Sequence, residues 1–368
     1  MKALLVAEGS GGHLVPALEV AHALARRGVD TRVWYARRAP MASLAVALTQ
    51  AAGASVVAVD PIPMDGISGV IGKLRRCREL WARARRCFDT FAPDVVVGFG
   101  GWVSAPVVLA ACLRRRRIAS LLHEQNATMG RANRLLARWV DRVALSFPES
   151  EATAGRASSV ITGLPIRPAI GQMGRDEAAQ QLGLDPRRPT LFVLGGSQGA
   201  RAINRLIAQA AGRLTAAERA RWQWLHLTGA SDEGTVRRAY AGAGVVAWVA
   251  PFLANVGAAY ALADLVIARA GASTIAELAR CGRPAILIPY PRAGGHQRAN
   301  AKLVECCGGG LVLEEADATP AHLLDTIRQL MADDVRRHRM GETIRSLDVS
   351  QATTRLSDEI VALAHHRP

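Results

Sequence analysis

The sequence predicts an α/β protein built from two doubly wound, parallel-sheet domains, and two observations predict it. Short apolar runs alternate with segments of helical spacing, each run ending in a glycine-rich or polar loop. That pattern then starts a second time near the middle of the chain, after ITGLPIRP. At 368 residues the chain exceeds what one hydrophobic core usually organises, which agrees with two domains.

Taken in order, KALLVA reads as a first strand, EGSGGH as its loop, and LVPALEVAHALARRG as a helix ending at Gly28. TRVWYA, VVVGFGGW, IASLLHEQN and DRVALSF follow as buried strands with their loops. In the second half TLFVLGGSQGARAINRLIAQ is again strand, glycine loop and helix, followed by WQWLHLTG, VVAWVAPF, ADLVIARAG and PAILIPYP. The expected division is 1–162, 163–349 and a terminal helix in 350–368, which the sequence allows to pack on either half, the first domain included.

Composition narrows the function. The six cysteines (Cys77, Cys87, Cys112, Cys281, Cys306, Cys307) show no CxxC spacing and no partnering histidine pattern, so neither a zinc site nor a disulfide framework is expected. No apolar run reaches the length of a membrane span. The net charge of +15 favours an anionic partner, either phosphates or a membrane surface. Basic residues are not interleaved with aromatics as in a single-strand-binding platform, so nucleic acid is not expected.

The loops carry the chemistry. Gly9-Ser10-Gly11-Gly12-His13 and Gly195-Gly196-Ser197-Gln198-Gly199 each lead a strand into a helix, where backbone N–H groups converge on a spot suited to phosphate. Neither matches the dinucleotide fingerprint or the P-loop, which excludes the usual hydride-transfer and phosphoryl-transfer signatures. His13 at a helix start is either a neutral general base or a residue that satisfies its loop. Polar groups at the end of a buried strand, as in His123-Glu124-Gln125-Asn126, suit a hydroxyl-rich ligand. Ala272, Ser273, Thr274, Ile275, Ala276 and Glu277 open a helix: N–H groups for a pyrophosphate and a carboxylate for vicinal ribose hydroxyls. Gln297, after PAILIPYP and a Gly-Gly turn, offers an amide to a sugar.

These pieces, in this order, resemble the MurG family of UDP-N-acetylglucosamine:N-acetylmuramyl-pentapeptide-pyrophosphoryl-undecaprenol N-acetylglucosaminyltransferases. The resemblance runs through GSGGHLVPALEVA, VVVGFGGWVSAPVVLAA, HEQNATMGRANRLLAR, TGLPIRP, LGGSQGARAIN, ARAGASTIAEL and HQRANA, essentially the whole chain. It implies a GT-B fold, two Rossmann-like domains whose parallel sheets face each other across a deep cleft. It further implies metal-independent, inverting transfer of N-acetylglucosamine from UDP-GlcNAc to lipid I, forming lipid II for peptidoglycan synthesis. No cofactor is implied, because UDP-GlcNAc is a substrate.

Carried over by motif, Ser10, Gly11 and Gly12 lie beside the donor and Asn126 meets the GlcNAc. Arg167, Ser197 and Gln198 are at or near the diphosphate, Leu253 meets the uracil, residues Ala272 to Glu277 hold phosphate and ribose, and Gln297 holds the sugar. His13 is the candidate base and Glu124 the alternative. Departures from the family pattern are Glu8 and Ser10 in place of Gly and Thr, PFLANV without the usual acidic residues, and Leu164 in place of Asn.

The acceptor implies a peripheral position on the cytoplasmic face of the cell membrane, with cell-wall synthesis proteins as conceivable partners. Residues 66–88, GISGVIGKLRRCRELWARARRCF, mix Ile67, Val70, Ile71, Leu74 and Trp81 with six arginines and Lys73, a basic amphipathic stretch suited to an anionic surface, and Arg114 to Arg117 extend it. Two other enzymes fit the same motifs: a glycosyltransferase with another lipid acceptor, and a non-hydrolysing UDP-sugar epimerase. So does a UDP-sugar binder without turnover.

Overall fold

The computed structural model describes residues 1–37, 57–63, 69–155, 157–196 and 200–365; of Val70 only the backbone is described. The chain forms two compact units: Met1–Arg167 with Val349–Pro368, and Pro168–Asp348. The boundary falls five residues beyond the expected 162. Residues 162–166 belong with unit 1 because Thr162 and Gly163 donate their N–H groups to Leu145, and Leu164 and Ile166 are buried.

Unit 1 is a wholly parallel sheet. Its strands are β1 (Lys2–Ala7), β2 (Asp30–Arg37), β3 (Ala58–Pro63), β4 (Val95–Gly98), β5 (Ala119–Glu124), β6 (Arg142–Leu145) and β7 (Ser159–Ile161), ordered β3-β2-β1-β4-β5-β6-β7. Its helices are α1 (Gly11–Arg26), α2 (Gly69–Thr90), α3 (Gly101–Cys112), α4 (Arg131–Leu136) and α5 (Glu151–Ala154). Side chains alternate along β1: Leu4 and Val6 join the core beneath α2 and α3, while Ala3, Leu5 and Ala7 join the one beneath α1. The terminal helix, Ala352–His365, packs on α1 and sends Leu356 and Ile360 into that second core. Gly163, at φ +80°, has no room for a side chain, since a Cβ there would stand 2.5 Å from Val349.

Unit 2 repeats the plan. Strands β8 (Thr190–Leu194), β9 (Gln223–Leu227), β10 (Ala247–Ala250), β11 (Leu265–Ala268), β12 (Ala285–Leu287) and β13 (Gly310–Val312) are ordered β10-β9-β8-β11-β12-β13, all parallel. Its helices are α6 (Arg175–Leu182), α7 (Arg201–Ala211), α8 (Ala216–Arg221), α9 (Glu233–Gly242), α10 (Val256–Leu262), α11 (Ala272–Cys281), α12 (His296–Cys306), α13 (Pro320–Ala332) and α14 (Asp334–Ile344); the terminal helix of unit 1 is then α15.

Strand order reverses between β1 and β4 in unit 1 and between β8 and β11 in unit 2. Ligands of doubly wound sheets bind outside the carboxyl ends of the strands at such switch points. The strands absent from the sequence reading are β3, β7 and β13, all at sheet edges. Edge strands lack the apolar run that marks a buried one. β3 also carries Pro61 and Pro63, which an edge tolerates.

Candidate functional site

At the unit 1 switch point two glycine loops meet. Gly9 follows β1, and a Cβ there would stand 1.8 Å from the Ala36 carbonyl oxygen, so only glycine fits. Ser10 precedes α1 and its carbonyl accepts the N–H groups of His13 and Leu14, so the helix begins at Gly11, three residues before the expected Leu14. That start places Gly11, Gly12 and His13 in the first turn. The Ser10 hydroxyl lies 2.7 Å from His13 Nδ1. The other side of the ring faces the second loop, Gly100-Gly101 before α3: a Cβ on Gly100, at φ +80°, would stand 3.2 Å from His13 Nε2 and 3.3 Å from Gln125 Oε1.

The loop after β5 is held by two fully buried groups. His123 Nε2 donates to the Gly163 carbonyl at 3.1 Å, which leaves Nδ1 as the acceptor facing the Gln125 amide at 3.2 Å. Burial lowers the His123 pKa to about 4, so the ring is neutral, as that bonding pattern requires. The Glu124 carboxylate, 2% exposed, accepts four donors. Asn126 N and Nδ2 reach Oε1 at 3.0 Å each, and Gly130 N and Asn133 Nδ2 reach Oε2 at 2.9 Å each. A carboxylate has about four lone-pair positions. The arrangement leaves Glu124 none for a substrate proton and makes it the clamp of the loop that carries Asn126, in contrast to the base the sequence offered as an alternative.

Arg167 ends unit 1 and its charge acts on Glu19 of α1. Burial nonetheless prevails, lifting the Glu19 pKa to about 7 against the lowering effects of Arg167 and Arg26.

In unit 2, α11 starts at Ala272 behind Gly271. Ile275 N–H is the first to bond back to the helix entry, so the N–H groups of Ala272, Ser273 and Thr274 have no acceptor within the helix. Ser273 Oγ is buried and has no hydrogen-bond partner among the described residues. Glu277 lies in the second turn, 8% exposed, and accepts the Tyr260 hydroxyl at 2.9 Å.

Two further residues shape this region: Arg269, to which the sequence reading gave no role, and Asn300, which it read with Gln297 as an amide for sugar hydroxyls. Arg269, 7% exposed, donates to the Ile288 carbonyl at 3.0 Å, pairs with Glu315 and lies over the Tyr290 ring, so its guanidinium fastens the turn after β12. Asn300 donates to the Ala270 carbonyl at 3.1 Å, tying α12 to the start of α11. Both stand inside motifs already quoted, but only contacts reveal their roles. Gln297 Oε1 accepts the Tyr290 N–H at 2.9 Å, which turns its amide NH2 away as the free donor group. Leu253 is half-buried beyond β10. Ser197 and Gln198 lie outside the described residues.

Another buried group recurs on β9. His226 sits between Tyr240 Oη at 3.1 Å and Asn204 Oδ1 at 3.0 Å, and burial lowers its pKa to about 3. Asn204 Nδ2 donates to the Thr228 carbonyl and to Asp232, so its oxygen must accept, and His226 Nε2 carries the proton.

The comparisons agree with this geometry. Residues 3–145 match the glycosyltransferase family 28 N-terminal domain and residues 190–356 the glycosyltransferase family 28 C-terminal domain. A UDP-N-acetylglucosamine--N-acetylmuramyl-(pentapeptide) pyrophosphoryl-undecaprenol N-acetylglucosamine transferase of Syntrophotalea carbinolica is 39% identical over 97% of both chains. The protein of the same description from Rhodospirillum rubrum is 39% identical over 99% of this chain and 92% of its own. The chain belongs to the MurG family of glycosyltransferase family 28. Among solved structures, that of Acinetobacter baumannii MurG superposes with a TM-score of 0.76 at 26% identity, covering 98% of this chain and 99% of that one. Within this MurG-family chain, the two parallel-sheet units are the two halves of the GT-B architecture.

The remaining sequence readings can now be placed. The six cysteines are thiols outside any disulfide. Burial raises the pKa of Cys77, Cys87 and Cys112, and that of Cys281 to about 12, which keeps them protonated and unreactive. No helix among the described residues is long and apolar enough to cross a membrane. In the basic stretch, Ile71 and Leu74 are exposed, at 85% and 61%, beside exposed Lys73, Arg75 and Arg78. Trp81, counted with the membrane-facing set, instead packs against the core with Leu80, Ala84 and Phe88, because it falls on the inward stripe of α2. Gly66 and Ile67 lie outside the described residues, as does the Val70 side chain.

Proposed function

We infer that this chain transfers N-acetylglucosamine from UDP-GlcNAc to lipid I, forming lipid II with inversion at the anomeric carbon. The observation that carries the reading is His13: a helix-start imidazole at the switch point, backed by Ser10, in a chain related along its length to enzymes named for this transfer. The acceptor hydroxyl attacks the anomeric carbon, the bond to the diphosphate oxygen breaks, and UDP departs with that electron pair. His13 Nε2 takes the hydroxyl proton. For that, Nδ1 must carry the ring's own proton and donate it to Ser10 Oγ, which fixes the tautomer.

Unit 2 holds the donor in this reading: the N–H groups opening α11 face the diphosphate, Glu277 the ribose, Leu253 the uracil, and the free amide NH2 of Gln297 the sugar. Helix N-termini stabilise the charge on the departing UDP without a metal. Unit 1 supplies the base, the loop carrying Asn126 and the acceptor side. Exposed Ile71 and Leu74 among basic residues, with Leu113 and Arg114 to Arg117, fit a peripheral contact with the anionic cytoplasmic membrane face where the acceptor resides.

The test is transfer of labelled GlcNAc from UDP-GlcNAc to a short-chain lipid I analogue in the presence of EDTA, with His13→Ala alongside. Product in EDTA, with the variant slowed by about 10² to 10⁴ and still binding UDP-GlcNAc, is expected. Free altered sugar nucleotide without acceptor would identify an epimerase. Binding without product would move the assignment to another lipid acceptor.

A further inference from the structure

Tyr260 is wholly buried on α10, its ring edge-on to Phe192 of β8 at 5.2 Å and 88°. Apolar packing of that kind needs only a phenyl ring. The hydroxyl does more: it donates to Glu277 Oε2 at 2.9 Å. Glu277 is 8% exposed, and a carboxylate so far removed from water takes the orientation its hydrogen bonds impose. With Oε2 tethered to the Tyr260 hydroxyl, the plane of the carboxylate keeps a fixed direction, and a vicinal diol is recognised by acceptor atoms held in that way.

We propose that Tyr260 is a positioning residue for the donor's ribose: its hydroxyl sets the Glu277 carboxylate in the geometry that accepts both ribose hydroxyls, and so contributes to selection of ribonucleotide over 2′-deoxyribonucleotide donors. Tyr260 touches no substrate and acts through Glu277. The proposal rests on the reading of Glu277 as the ribose ligand. A site built to accept a hydroxyl discriminates against the analogue lacking it because its own polar group is left unpaired, and that penalty grows with how rigidly the group is held.

The experiment is steady-state kinetics of the full chain with UDP-GlcNAc and with its 2′-deoxyribose analogue, for wild type, Tyr260→Phe, Glu277→Gln and Phe192→Leu. Tyr260→Phe is expected to raise KM for UDP-GlcNAc about five- to tenfold, as loss of one hydrogen bond to a buried charge would, with kcat and melting temperature nearly unchanged. With the deoxy donor, already poor for wild type, the same variant should add a clearly smaller penalty, because one of the two contacts it orients is missing and only the 3′-hydroxyl remains. Phe192→Leu, which disturbs the ring's packing but leaves the hydroxyl, should lower the melting temperature and leave the ratio between donors unchanged. Equal penalties on both donors in Tyr260→Phe, or none on either, would show the residue to be packing alone and overturn the proposal. If wild type uses the two donors equally well and Glu277→Gln keeps its KM, the ribose reading has itself failed, and the proposal falls with it.

Discussion

His13 illustrates how much one side chain depends on its neighbours. Its ring has Ser10 on the Nδ1 side and the Gly100 backbone near Nε2, and Nε2 can take a proton only in the tautomer that keeps the ring's own proton on Nδ1. Ser10→Ala should therefore cost about tenfold in kcat, roughly one hydrogen bond to a developing charge, and shift the acidic limb of the pH–rate profile, while UDP-GlcNAc binding holds. An unchanged profile would show that Ser10 does not set the tautomer. Glu124 makes the converse point. Glu124→Gln keeps the shape but turns two acceptor positions into donors facing donors, so a loss of about 2 to 3 kcal/mol in stability is expected, read in urea melts. A Glu124→Gln protein of wild-type stability but no activity would restore Glu124 as a base. The sequence placed His13 at a helix start and Glu124 at a strand end and took the first as candidate base with the second as alternative, but the partners that decide which group has a lone pair to give are not written in it.

At the scale of elements, the glycine loops and the strands before them were legible because each carries a strong local signal: an apolar run, then residues that only a tight turn requires. β1 spans the expected KALLVA, and β11 and α11 follow the order of ARAGASTIAEL. The edge strands β3, β7 and β13 were not legible, because they carry no marked apolar run, whereas β10, also at an edge, was read from VVAWVAPF. α15 was visible as a helix, but its seat on α1 is a tertiary fact. Leu356, with no exposed surface, fills the core there. Leu356→Ala should lower stability by about 2 to 5 kcal/mol, read as an earlier thermal transition, and leave UDP binding to unit 2 intact at low temperature. Unaltered melting would mean that α15 is not part of the unit 1 core.

For the molecule as a whole, three ionisable groups with large shifts, two buried and one half-buried, contribute to the response to pH. His123 and His226 stay neutral when folded, with pKa values of about 4 and about 3, whereas the unfolded chain binds their protons near the ordinary 6.5. Their contribution is complete above that value and is lost as pH falls, at roughly 1.4 kcal/mol per unit for each group. Glu19 runs the other way: folded, it keeps its proton to about 7, against an ordinary 4.5, so stability falls as pH rises through that window. Between 4.5 and 6.5 His123 and Glu19 of unit 1 largely cancel, and His226 of unit 2 contributes acid sensitivity that no such partner offsets. Glu19→Gln should remove the cancellation, steepening the fall in stability on acidification across that window and raising the melting temperature above neutrality. Superimposable melting-temperature profiles for variant and wild type would refute this account of Glu19.

The sequence by itself determined the class of the fold, its duplication, the two glycine loops, the strand-end polar groups and the family, because these depend on residue type and spacing along the chain. Tertiary structure alone decided that Glu124 clamps a loop, that Arg269 and Asn300 fasten the turns around α11, that Trp81 faces inward, and that Tyr260 meets Glu277 across 17 residues of chain. The physical reason is that a hydrogen bond or a buried contact belongs to two residues at once, and the pairing exists only when the sheet has brought distant strand ends to one edge.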